Sequence, residues 1–136
     1  MNYKEKKKLQ IALRRLYSTN TPSNKLVELL GISKFEFINH INDNLIDGMT
    51  LQNFGSEWGL DHIVPVELFD LSNEDEKMLC YNYNNIMPMF NLDNRMKGGS
   101  THFSLIKLNS MNTNVYVDKL KDICNKDINN RYNKYL

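Results

Sequence analysis

Cysteine is scarce in this chain. Of its 136 residues only two are cysteines, Cys80 and Cys124, and no CxxC pair is present. That excludes a disulfide framework and points to reduced core thiols in an intracellular, cytoplasmic protein. No apolar run approaches the ~20 residues of a membrane-spanning helix, so no membrane partner is expected. The charged N-terminus is not followed by the apolar stretch of a secretory signal. There is no internal repeat. Net charge is only +1, which names no partner by itself. The length suits one domain with a modest core.

Charge is distributed more tellingly than it is summed. Residues 1–20 carry six Lys or Arg against Glu5, residues 95–136 carry eight against three Asp, and residues 21–94 carry three Lys against twelve acids. Basic ends around an acidic middle suit flanks that touch phosphate and a centre that holds a cation. The abundant asparagine reads as compositional bias.

The pattern predicts a helical region over 1–47, a central unit over 48–100 and a helical extension over 101–136, together one compact α+β domain. Leu9, Ala12, Leu13, Leu16 and Tyr17 share one face of a helix over 3–18. Asn24 to Leu30 is a short helix stopped by Gly31. Ser33 and Glu36 form a capping-box pattern that starts a third helix to about Leu45, with Phe37, Ile38, Ile41 and Leu45 inward. This helix, turn, helix order resembles a helix-turn-helix, but the third helix is read as packing on the core, with His40 at its boundary. Gly48 to Gly55 is a pair of turns. Leu60 to Val66 reads as a strand broken by Pro65. A helix starts at Ser72, with Met78, Leu79 and Cys80 inward. Ile86 to Phe90 is a second strand, and Asn91 to Lys97 a helix that stops at Gly98-Gly99. Phe103 to Leu108 is apolar enough to pack. A last amphipathic helix over 113–134 carries Val117, Leu120, Cys124, Ile128 and, beyond it, Tyr135.

The chemistry concentrates between Trp58 and Lys97. In a strand, strand, helix unit, Asp61 on the first strand can face the first turn of the helix and meet the Asn94 side-chain oxygen. One carboxylate, one amide oxygen and water make a hard, open site of the kind Mg²⁺ prefers; zinc would want more nitrogen or sulfur. His62 follows Asp61. Neighbours on a strand point to opposite faces, but a twist or bulge can let both reach one phosphate. A neutral imidazole there can take a proton from water. Asn85 is placed to pin the loop that carries His62 through side-chain bonds to the backbone.

Three segments taken jointly carry a resemblance: Asp61-His62-Ile63-Val64-Pro65, then Asn85-Ile86-Met87-Pro88-Met89, then Asn94 and Lys97. The stretch resembles the HNH endonuclease family and its ββα-metal fold. Members commonly show D-H-I-x-P, N-L-Q-x-L, a His or Asn nine residues after that first Asn, and then Lys. More narrowly, residues 48–71 and the turn Leu29-Leu30-Gly31-Ile32-Ser33 are similar to a subgroup frequent in phages and large DNA viruses. The resemblance covers roughly residues 26–100.

It implies a ββα-metal module flanked by N-terminal helices and a C-terminal helix. It implies a hydrolase that cleaves DNA phosphodiester bonds with one Mg²⁺ or Mn²⁺ and leaves 5′-phosphate and 3′-hydroxyl ends. Asp61 and Asn94 would be metal ligands, His62 the general base, Asn85 the residue that orients the His62 loop and Trp58 the packing beneath. Lys97 would contact phosphate. The charge distribution, not the resemblance, which does not reach the N-terminal helix, adds Lys6, Lys7, Lys8, Arg14, Arg15 and Arg95 as residues that would hold nucleic acid. Many members carry two CxxC pairs on structural zinc; this chain has none, so no zinc is expected. Leu51, Gly59, Ile86 and Met87 depart from the usual residues without removing a catalytic group. A structure-selective DNA junction resolvase and a non-catalytic nucleic-acid-binding module are the alternatives. Monomer and homodimer both stay open.

Overall fold

The computed structural model describes residues 3–98 and 100–134. Seven helices and two strands alternate along it. They are α1 (Tyr3–Thr19), α2 (Asn24–Leu30), α3 (Lys34–Asp43), β1 (Trp58–His62), α4 (Glu74–Tyr81), β2 (Ile86–Phe90), α5 (Asn91–Lys97), α6 (Thr101–Asn109) and α7 (Val115–Asn133). The class is α+β, mostly helical, with one two-stranded antiparallel sheet. No described helix is long and apolar enough to cross a membrane.

One core draws on every part of the chain. Leu9, Leu13, Leu16 and Tyr17 of α1 are buried, as the helical spacing of their side chains requires. They join Leu26, Leu30, Phe37 and Ile41, the strand residues Trp58, Leu60 and Ile86, and Leu108, Val117, Leu120 and Cys124 from the C-terminal helices. An aromatic trio anchors β1. The Trp58 ring stacks on Phe54 at 4.8 Å and meets Tyr17 edge-on at 5.6 Å. Its indole N–H donates to the Thr50 carbonyl and to Asn53 Oδ1, both at 2.8 Å.

Local chemistry sets the helix ends. Ser23 Oγ accepts from the Leu26 N–H and Ser33 Oγ from the Glu36 N–H. Gly31 closes α2 with φ at 77°, a left-handed conformation that glycine adopts without a Cβ penalty. Phe37 and Ile41 turn α3 toward the core, and His40 is bonded through Nε2 to the Ile86 carbonyl at 2.9 Å. The histidine at the α3 boundary therefore secures β2.

Several elements differ from the sequence expectation. The first strand runs from Trp58 to His62 rather than Leu60 to Val66. The ladder runs one bond further, the Ile63 N–H donating to the Asn85 carbonyl at 2.8 Å, and the Asn85 side chain then takes the Val64 N–H at 2.8 Å. Pro65 then leads into a single 3₁₀ turn, Val66–Leu68. The fourth helix starts at Glu74, with Asn73 as its cap, because Ser72 is spent on Asp70 Oδ1 through both its N–H and its hydroxyl. Met78, expected inward, is 47% exposed. The third helix ends at Asp43, two residues short of Leu45. Residues left unassigned near Phe103 form α6, capped by Ser100. Gly99 and Tyr135 lie outside the described residues.

Candidate functional site

The strands pair one to one, from Trp58 opposite Phe90 to His62 opposite Ile86. Burial alternates along β1: Trp58, Leu60 and His62 are buried, while Gly59 and Asp61 are half-buried. Side chains on a strand alternate between faces, so Asp61 and His62 look in opposite directions. The ladder is regular, one residue opposite one, with no bulge that would bring both to one phosphate.

The Asp61 side of the sheet opens into a cleft of about 240 Å³. Asp61 and Asn94 both line it, together with Gln10 and Arg14 from α1. Asn94 comes from the middle of α5 and is exposed. A carboxylate, a side-chain amide and a guanidinium thus line one cleft from three elements. No group of three or more His, Cys, Asp or Glu residues that could hold a metal occurs among the described residues. A hard cation that keeps several waters needs few protein ligands, and Asp61 and Asn94 are the oxygen-bearing side chains this cleft would offer it beside Gln10 and Asn91.

Lys97 reaches the same carboxylate from the last turn of α5. Its Nζ lies 3.2 Å from Asp61 Oδ2 and donates to the His62 carbonyl at 3.0 Å. Its side chain is only 4% exposed, against 25% for Asp61. The ammonium lies 5.8 Å from the centre of the Phe103 ring.

His62 sits on the other side. It does not line the Asp61 cleft. Its ring meets Tyr81 edge-on at 5.1 Å, and its Nε2 is buried without a hydrogen-bond partner among the described residues. Burial pushes its pKa from 6.5 down to about 4; Asp61 opposes that shift and Lys97 adds to it. The imidazole is neutral near pH 7. Burial also pushes the Tyr81 hydroxyl up to about 12.

Side chains from three other elements hold the backbone on either side of Asp61. The Asn85 side chain accepts from the Val64 N–H at 2.8 Å and donates to the carbonyls of Val64 at 3.2 Å and Cys80 at 2.9 Å. Ser104 Oγ donates to the Ile63 carbonyl at 2.6 Å. Gln10 Nε2 donates to the Leu60 carbonyl at 3.1 Å. Asn85 is fully buried, so alanine there strands one N–H and two carbonyls. Asn85→Ala is expected to cost about 3 kcal/mol or more. Urea denaturation measures it; a loss below about 1 kcal/mol would show that Asn85 does not hold this loop.

Other basic residues divide. Arg14 lines the cleft, whereas Lys6, Lys7, Lys8 and Arg15 do not. Lys7, Lys8 and Arg15 are exposed on α1 and Lys6 is half-buried. Arg95 borders a separate hollow beside Glu57 and Asn91. Sequence reasoning missed Gln10 and Ser104. The signal for Ser104 was a hydroxyl inside the apolar run Phe103 to Leu108; Gln10 gave none beyond its place at the edge of the apolar stripe of α1.

No family model matches the chain, and no solved structure matches it. It is similar to Uncharacterized protein L426 of Acanthamoeba polyphaga mimivirus, 33% identical over 97 residues, which is 71% of this chain and 43% of that protein. It is also similar to Uncharacterized protein L246 of the same virus, 34% identical over 85 residues, 60% of this chain and 38% of that protein. The chain therefore spans about two fifths of the length of these curated relatives. The viral affiliation expected from the sequence agrees with them in that coarse form.

Proposed function

We propose that the chain is a metal-dependent endonuclease of the HNH type, built on a ββα-metal module formed by β1, β2 and α5 and hydrolysing DNA phosphodiester bonds. One observation carries the reading. Asp61 and Asn94, far apart in sequence and on different elements, line one cleft. The antiparallel pair β1 and β2, joined through α4 and followed directly by α5, supports the same reading.

Asp61 and Asn94 would hold Mg²⁺ or Mn²⁺ through oxygen. When bound, the cation would stabilise charge on the scissile phosphate and the leaving 3′ oxygen. Arg14 would meet a neighbouring phosphate at the cleft mouth, and Lys97 would take a phosphate oxygen once freed from Asp61. The exposed lysines of α1 and Arg95 would add long-range attraction that weakens as salt rises. His62 is the base in this reading. To accept a proton from water beside Asp61 it would need the end of β1 to twist, since a strand side chain does not change faces by ring rotation; its Nε2 has no hydrogen-bond partner among the described residues. Its burial favours the neutral form that a base needs.

The buried position of His62 also favours a second reading, a nucleic-acid-binding module that keeps the fold without turnover. Supercoiled plasmid incubated with Mg²⁺, Mn²⁺ or EDTA separates the two. The nuclease reading expects nicked or linear product that requires metal and is lost in His62→Ala. Intact plasmid under every condition, with the protein folded and bound to DNA, would support the binding module instead.

A further inference from the structure

We infer that Lys97 is a resident cation of the Asp61 carboxylate, which competes with a divalent ion for it in the free protein. The inference rests on the nuclease reading, because it concerns the same carboxylate. α5 is otherwise a solvent-facing helix: Asp93, Asn94, Arg95 and Met96 are all exposed. Lys97 departs from its neighbours. Its side chain is nearly sealed from water, and its ammonium ends between Asp61 Oδ2 and the His62 carbonyl. Lysine rarely gives up solvent unless its charge is paired.

A lysine waiting for phosphate would project into the cleft with its donors unspent. Lys97 instead spends two of its three donors on the end of β1. Lys97 does not line the cleft itself, but its ammonium holds Asp61 Oδ2, so its positive charge faces any divalent ion that meets that carboxylate. Like charges at such a distance in a partly desolvated site repel strongly. A divalent ion must therefore displace or crowd the ammonium, and its affinity for the DNA-free protein is lowered. Once the ion holds Asp61, the ammonium is released toward a phosphate oxygen. Lys97 is thus a positioning residue with two stations. The ion and the phosphate favour each other's binding by exchanging it.

Equilibrium Mn²⁺ binding to the full chain without DNA, read from the electron paramagnetic signal of free Mn²⁺, tests this without any activity assay. Lys97→Met and Lys97→Gln are expected to bind Mn²⁺ at least about tenfold tighter than wild type. Adding Asp61→Asn to either variant should remove the gain. Lys97→Gln keeps a donor for the His62 carbonyl and covers the case in which the methionine variant does not fold. A merely structural lysine would leave the affinity unchanged or lower it on removal. If wild type binds Mn²⁺ through Asp61 and neither variant binds it more tightly, the inference falls while the nuclease reading stands. If no variant binds Mn²⁺, the metal site itself is refuted and the inference with it.

Discussion

Alanine at Asp61 is expected to abolish metal-dependent cleavage and also to destabilise the fold more than methionine at Lys97. The first effect follows from the proposed role: loss of the only carboxylate in the donor pair should lower the nicking rate of supercoiled plasmid on the order of 1000-fold. The second effect needs no assumption about function. Removing Asp61 leaves the Lys97 ammonium, 4% exposed, with the His62 carbonyl as its remaining partner. An uncompensated buried charge costs several kcal/mol; the relief that the opened site gives reduces this to about 2 kcal/mol. Removing Lys97 leaves Asp61, whose side chain is 25% exposed and keeps access to water. That loss should be about 1 kcal/mol or less. The double variant Asp61→Ala with Lys97→Met should recover most of what the single aspartate change loses. Urea midpoints of the four proteins measure the coupling. A lysine variant less stable than the aspartate variant would reverse the order and sink this account of the pair.

What was legible in the sequence was the part governed by periodicity and local chemistry. The stripe of α1, the Gly31 stop and the Ser33 cap depend on residues within a few positions of one another. So do β2 and α5, and all of these appear where the pattern put them. The end of β1 was not legible. Val64 and Pro65 continue an apolar run, and only the side chain of Asn85, from 21 residues away, turns the chain out of the sheet. The asparagines were undervalued as a group. Asn73 and Asn114 cap helices, and Asn82 binds Asn84 in the turn before β2. Asn114 then ties the start of α7 to that same turn through Asn84 Oδ1 at 3.3 Å. Composition counts these residues without showing which backbone groups they satisfy. In the site, the position of Asp61 and Asn94 on one cleft was legible from the order of β1, β2 and α5. The opposite facing of His62 depended on whether the ladder carries a bulge, which the residue types alone do not fix.

His62 should make stability depend on pH in a window that few other groups share. Unfolded, its imidazole takes a proton at about 6.5; folded, burial holds that uptake down to about 4. Between these values the unfolded chain binds more protons than the folded one, so stability rises with pH across the window. The contribution is fully present above about 6.5 and is lost as pH falls toward about 4, a span of roughly 3 kcal/mol. Carboxylates also titrate near the lower end, so the informative quantity is the difference from His62→Phe. That variant keeps an aromatic ring against Tyr81 and cannot titrate. Urea midpoints from pH 4 to 7.5 should climb steeply in wild type and much less in His62→Phe. Parallel curves would mean that the folded imidazole already reaches water at neutral pH. The same residue then separates structure from chemistry. His62→Ala should lose cleavage while keeping the Mn²⁺ affinity that Asp61→Ala loses; equal loss of metal in both would refute the division of roles between the two neighbours. A ring that is buried and neutral at rest has to be uncovered before it can act. Were nicking to depend on His62 while the midpoints retain their pH slope, the resting burial and the catalytic role would belong to two conformations of the end of β1.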